Sequence, residues 1–404
     1  MLTPNQWFRA TYAEGIWTAA GKLVKLTLGR IPSRIAVNSG TGDDMLYSRR
    51  EVISTLMAAA AARGASDSKL GIPGPFPGRV VAVNSENSII SGQYQPEIIK
   101  NMMHKGMLAL TGAPAWPDAW RMFVQKGDVV AIKVCPVGGP KLSSDPAVLH
   151  MIVDGIKQAG VPARDIVVFN RYRQETVAAG IDKWLPEGVR FAWAAEKYEN
   201  WQLGMDGYDP NVYMEMALVK PGDNPNDLHA RRSYVAQCIT KQVNKVINLP
   251  VVKSHQSAGV TLCLKNLSHG MVNNVNRSHI NRELNACNLF IPAVVDLPVI
   301  RQKVVLHVLD GVKAGYNGGP GTPAQFRWEH KTMYFGTDPV ALDKTGWQVV
   351  EAKRKQEGLP PVAETAPGDQ FNNYWGQPQH IELASKLGLG VFDDAKLDVK
   401  RFFV

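Results

Sequence analysis

Apolar and polar positions along this chain follow two periods. Short apolar runs at 79–83 (RVVAV) and 128–134 (DVVAIKV) have the length and β-branched content of buried strands, whereas 96–110 repeats its apolar residues at helical spacing. The second run ends in the turn PVGGP at 136–140, and Asp145-Pro146 then opens a helix, the Asp as N-cap and the proline at the first helical position. That helix closes at Ala159-Gly160, and 166–169 is the next strand. Strand, helix and strand with short joints predict a parallel βαβ unit. The pattern returns as strands at 243–252 and 303–309, helical segments at 258–270 and 284–290, a long helix at 338–356 and a short one at 380–387. The expected fold class is α/β, a mainly parallel sheet flanked by helices on both faces.

One echo bears on domain organisation. SDPAVL at 144–149 recurs as TDPVAL at 337–342, each behind a Gly-Gly-Pro turn at 138–140 and 318–320. Two related halves would produce it, and so would the general suitability of Asp-Pro as a helix start. Gly, Pro and Ser crowd 66–77, which reads as a linker. The chain then divides into an N-terminal extension (1–77), an α/β core (78–358) and a C-terminal extension (359–404).

Composition narrows the class. With 404 residues, 45% hydrophobic and 20% charged, the chain can bury a full core, and no apolar run is long enough for a conventional membrane span. The net charge of +9 is spread without a basic block or a basic–aromatic ladder, which argues against nucleic acid as a partner. Cys135, Cys238, Cys263 and Cys287 are too far apart for a C-x-x-C zinc site or a ferredoxin-type cluster motif, and read as small buried thiols.

The extension carries its own signal. Ser48-Arg49-Arg50-Glu51-Val52-Ile53, followed by an alanine-rich apolar run to Ala62, looks like a twin-arginine translocation signal. It departs from the usual pattern at Ser54, where lysine is common, and in the 47 residues ahead of it. An ordinary alanine-rich helix is the alternative. The signal implies a periplasmic or exported protein; without it the protein would be cytoplasmic. Trp7, Phe8 and Trp17 in the same extension would suit contact with a protein partner.

The densest chemistry lies at 246–270, VINLPVVKSHQSAGVTLCLKNLSHG. With IKVCPVGGP at 132–140, VVLHVLDGVKAGYNGGPG at 304–321 and FGTDPVALDKTG at 335–346, this segment resembles the bacterial and archaeal family catalogued as domain of unknown function 362. The resemblance implies an α/β fold over residues 80–350 and brings no catalytic roles with it. Some members are joined to an iron–sulfur module; no module of that kind is visible here.

In open α/β sheets, ligands gather where strands stop. Lys253, Ser254 and His255 follow one strand, and Lys265 and His269, four apart, share a face of the next helix. An anion at that helix N-terminus would meet free N–H groups, lysine charge and the hydroxyls of Ser254 and Ser257. The expected site holds a small anionic or oxygenated substrate between Lys133, Lys253, His255 and Lys265 on one side and Asp310 on the other. His255, Lys253, Lys265 and Asp310 are its candidate catalytic groups, and Lys133, Ser254, Asn266, Gly318 and Gly319 its candidate substrate contacts, with 315–321 as a tight turn or lid.

A metal is the second reading. His255, His269, His279 and His307 fall close together in the sequence, and His255, His269 and Asp310 are candidate ligands for a divalent metal or iron. Asp338 reads as a helix cap, with Asp343 on another face. There is no G-x-S-x-G elbow, P-loop or dinucleotide fingerprint. Two classes remain: an enzyme, and a non-catalytic ligand-binding or assembly partner.

Overall fold

A computed structural model describes residues 69–199, 201–280, 285–364 and 378–404, together with short strands at Gly15–Ala19, Lys22–Leu26, Arg34–Asn38 and Asp44–Ser48. The paired arginines and the alanine-rich run lie outside the described residues, as do Trp7 and Phe8.

The main elements are β1 (Arg79–Asn84), α1 (Pro96–Thr111), β2 (Val130–Lys133), α2 (Pro146–Gln158), β3 (Ile166–Tyr172) and β4 (Arg190–Ala195). After a separate hairpin of Tyr208–Glu215 with Arg232–Ala236 come β5 (Lys245–Asn248), β6 (Val251–His255), α3 (Leu262–Met271), α4 (Cys287–Val295) and β7 (Val304–Gly315). The chain continues through β8 (Arg327–Gly336), α5 (Pro339–Gln356), α6 (His380–Lys386) and β9 (Asp398–Phe403). Ten strands form one sheet in the order β4-β3-β2-β5-β7-β8-β1-β9, with β6 beside the far half of β7 and Gly259–Val260 folded back on β6. Only β8 along that order runs antiparallel to its neighbours.

Strand alternation builds two core layers. Val81, Val83, Val130, Ile132, Ile166 and Val168 pack under α1 and α2. Val80, Ala82, Ala131, Val167, Phe169 and Val246 pack under α3, α4, α5 and α6. Helices therefore cover both faces, and the fold is α/β.

Several boundaries differ from expectation for local reasons. The strand expected over 243–252 is two, because Pro250 has no N–H to continue the ladder. The strand expected to stop at 309 runs on to Gly315, so Asp310 lies inside it. The supposed linker is docked: Ile72 is buried, its N–H reaches the Arg301 carbonyl at 2.8 Å, and Gly78 donates to Asp338 at 2.9 Å. The C-terminal stretch supplies α6 and the parallel edge strand β9. Both copies of the echo use their Asp as a helix cap. Asp145 accepts from Ala147 N–H, and Asp338 from Val340 and Ala341 N–H, but β8 intervenes between turn and helix in the second copy. Among the described residues no helix is long and apolar enough to cross a membrane.

Candidate functional site

Four neighbouring parallel strands bring Phe169, Lys133, Asn248 and His307 into register near the C-terminal end of the sheet. Asn266, reaching down from α3, donates to Asn248 Oδ1 at 2.7 Å and accepts from Lys133 Nζ at 3.2 Å. Asn248 in turn donates to His307 Nδ1 at 3.0 Å and to the Cys263 carbonyl at 3.2 Å. With Nδ1 accepting, the neutral His307 ring carries its proton on Nε2, and burial brings its pKa down to about 3.

Lys133 is saturated. Its ammonium donates to the Val134 carbonyl at 2.6 Å, Asn170 Oδ1 at 3.1 Å and Asn266 Oδ1. Gly270 makes room for it, since a Cβ there would overlap the lysine Cε. A helical glycine costs about 1 kcal/mol relative to alanine, and the close approach of Lys133 accounts for this one. Lys133 and Asn266, expected to contact substrate, are therefore fastened to each other and to the sheet.

Lys253 and Lys265 are placed differently. Lys253 is fully buried and donates to the Val137 carbonyl in the PVGGP turn. Lys265 is 6% exposed, and among the described residues no hydrogen bond or ion pair reaches its ammonium. Burial is the main cause that lowers its pKa to about 8, and the cations Arg171 and Lys253 add to it, with the thiols of Cys287 and Cys135 close by. Arg171 lies over the Tyr172 ring at 4.3 Å and donates to the Val272 carbonyl at 3.4 Å, yet its Nε is buried without a partner among the described residues. The Ser257 hydroxyl is likewise buried and, among the described residues, unpartnered.

Three histidines have Lys265 as their strongest charged neighbour. Burial, then Lys265, hold His255 and His269 well below the usual imidazole range and bring His279 to about 3. The His279 ring centroid stands 6.0 Å from His255 and 5.1 Å from His269. Hydrogen bonds fix two tautomers. His255 Nδ1 accepts from the N–H of Ser257 at 3.0 Å and of Ala258 at 3.3 Å, which puts its ring proton on Nε2. Ser278 donates to the Val275 carbonyl at 2.7 Å and so accepts from His269 Nε2 at 3.1 Å, while His269 Nδ1 faces the Ser268 hydroxyl at 3.0 Å.

The N-terminus of α3 does not offer the free N–H groups expected of it. Asp343 accepts from Cys263 and Leu264 N–H, so anion chemistry here rests on side chains. Ser254, Gly318 and Gly319 mark where the turn 315–321 docks on β6. Gly319 N–H reaches Ser254 Oγ at 3.3 Å, and a Cβ on Gly319 would overlap the Ser254 carbonyl. That makes a tight turn.

Asp310 stands on the other side of the sheet. It shares the face of Val308 and Val312, in the layer under α1, whereas Lys133 and Arg171 continue the face of Ala131 and Phe169. Its carboxylate accepts from the Tyr94 hydroxyl at 3.0 Å and the Val312 N–H at 3.0 Å. Burial, then the neighbouring Asp145, raise its pKa to about 7. It is not the opposite wall of the basic cluster. The expected metal trio His255, His269 and Asp310 is thereby split, and among the described residues no three His, Cys, Asp or Glu side chains are grouped to hold a metal ion. All four cysteines are free and buried.

Arg171 and Asn248 escaped the sequence reading. Arg171 had the same signal as Lys253, a polar residue closing an apolar strand run; Asn248 had none.

Comparison with curated proteins finds no match. The family model described as domain of unknown function (DUF362) matches residues 130–348, which include Lys133, Arg171, Lys253, His255, Lys265 and Asp343. That match covers more than half of the chain, and the protein belongs to the DUF362 family.

Proposed function

We propose that the protein is an enzyme that holds a small anionic or oxygenated substrate over Lys265. The observation that carries this reading is the lysine itself: a side chain buried to all but 6% of its surface beside two other cations, its ammonium without an acceptor among the described residues. Buried charges are normally paired, and burial here costs the charged form on the order of 3 kcal/mol. An anion from outside supplies the missing partner. Arg171 and the Ser257 hydroxyl add unused donors, and His255 offers a neutral N–H from Nε2.

Thermal unfolding with sulfate, inorganic phosphate and simple carboxylates tests the reading. At least one of these anions should raise Tm, and Lys265→Met should abolish the rise. An equal rise in the variant would remove Lys265 from the site. The competing role, a non-catalytic carrier or assembly partner using the same cations, is supported if an anionic ligand recovered from the native host binds without being turned over.

Export by the twin-arginine route is the accompanying proposal for where the enzyme works. It rests on Ser48-Arg49-Arg50-Glu51-Val52-Ile53. Replacing both arginines by lysine should hold the protein in the cytoplasmic fraction, and unchanged fractionation would contradict export.

A further inference from the structure

We propose that Lys265 forms an imine with the carbonyl carbon of a 2-oxo carboxylate; this rests on the anion-site reading and names its substrate class. Three buried lysines reach the cluster, and their attachments differ. Lys133 is held by three acceptors, and Lys253 donates to the Val137 carbonyl. Lys265 alone has no acceptor among the described residues. The species that attacks a carbonyl is the free amine, and burial beside other cations is the setting that keeps an amine available near neutral pH. Its pKa of about 8 agrees with that setting.

The surroundings specify the rest of the ligand. Arg171 and Lys253, the cations that act on Lys265, suit a carboxylate. His255 cannot act as a base through Nε2, because Nδ1 is already the acceptor of two backbone N–H groups. It can donate that N–H to a carbonyl oxygen, where charge develops as the amine adds. A carbonyl next to a carboxylate describes a 2-oxo acid.

The step balances without an oxidant or reductant. The Lys265 nitrogen adds its lone pair to the carbonyl carbon, and the carbonyl π electrons move to oxygen, which is protonated. The carbinolamine then loses that oxygen as water while the C–N bond becomes double. Overall, an ammonium and a ketone give an iminium and one water.

Pyruvate with sodium cyanoborohydride, applied to the full chain and followed by intact mass and peptide mapping, tests the proposal. One reduced pyruvate unit should appear on Lys265 and be lost in Lys265→Arg, which keeps the charge and serves as the folding control. Pyruvate binding by calorimetry with no adduct on Lys265 would overturn the imine and leave the anion site standing. Adduct of equal yield in Lys265→Arg would also overturn it. Binding of neither pyruvate nor sulfate would remove both readings.

Discussion

Asp343 accepts the backbone N–H of Cys263 at 2.6 Å, so a carboxylate on α5 caps the helix that carries Lys265. It also accepts from Leu264 at 3.0 Å, and no cap bond comes from the N-cap side chain of Thr261. Burial, offset by these N–H groups, raises the Asp343 carboxyl to about 8. Asp343→Ala should leave two buried N–H groups without acceptors and cost about 2 kcal/mol or more, with weaker anion binding as α3 shifts. Asp343→Asn keeps one acceptor and should cost less. Denaturant unfolding of both variants provides the check, and equal losses would contradict the capping role.

Gly270→Ala places a methyl against the Lys133 side chain. Alanine is the better helix former by about 1 kcal/mol, so propensity alone predicts a more stable protein. The packing predicts the reverse: Lys133 must leave Asn170 and Asn266, and the variant should unfold at a lower temperature. A gain in Tm would show that Lys133 can yield its place cheaply.

Three buried carboxyls give the fold a pH dependence of one sign. Burial raises Asp310 from 3.8 to about 7, Asp338 to about 6 and Asp343 to about 8. The folded state therefore binds more protons than the unfolded chain above pH 3.8, and stability from these groups falls as pH rises toward 8. Asp310→Asn can keep the bonds from Tyr94 and Val312 while removing one titration. It should gain stability near pH 8 relative to wild type and little near pH 4, measured by urea unfolding across that range. A difference independent of pH would contradict the assignment.

Lys265→Met should stabilise the ligand-free protein. The folded pKa of about 8 lies below the ordinary 10.5, so the unfolded chain binds more protons between these values. The charge penalty is thus fully present below pH 8 and fades as pH rises to 10.5. Removing the charge should add about 1–3 kcal/mol near neutral pH. A destabilised variant would mean that the ammonium has a partner of its own.

The sheet was legible where periodicity and capping coincided. The βαβ unit from β2 through Asp145-Pro146 to β3 follows from local signals alone, as do α1 and α5. The site was legible only in its residue types. Lys253, His255 and Lys265 stand out because polar groups at a strand end or on an otherwise apolar helix need a reason. What they touch depends on register between distant segments, which no local pattern records. Asn266 looks like a ligand contact until β2 and β5 set Lys133 and Asn248 beneath it. Asp310 looks like the opposite wall until β7 proves longer than its apolar run and alternation turns the carboxylate to the other face.

Calorimetric titration of the wild type and Lys265→Met with sulfate, on both sides of the Lys265 titration, decides whether Lys265 holds the anion. Sulfate should bind the wild type with proton uptake and with weaker affinity as pH passes about 8, and should not bind the variant. Equal affinity in the two proteins would contradict that role.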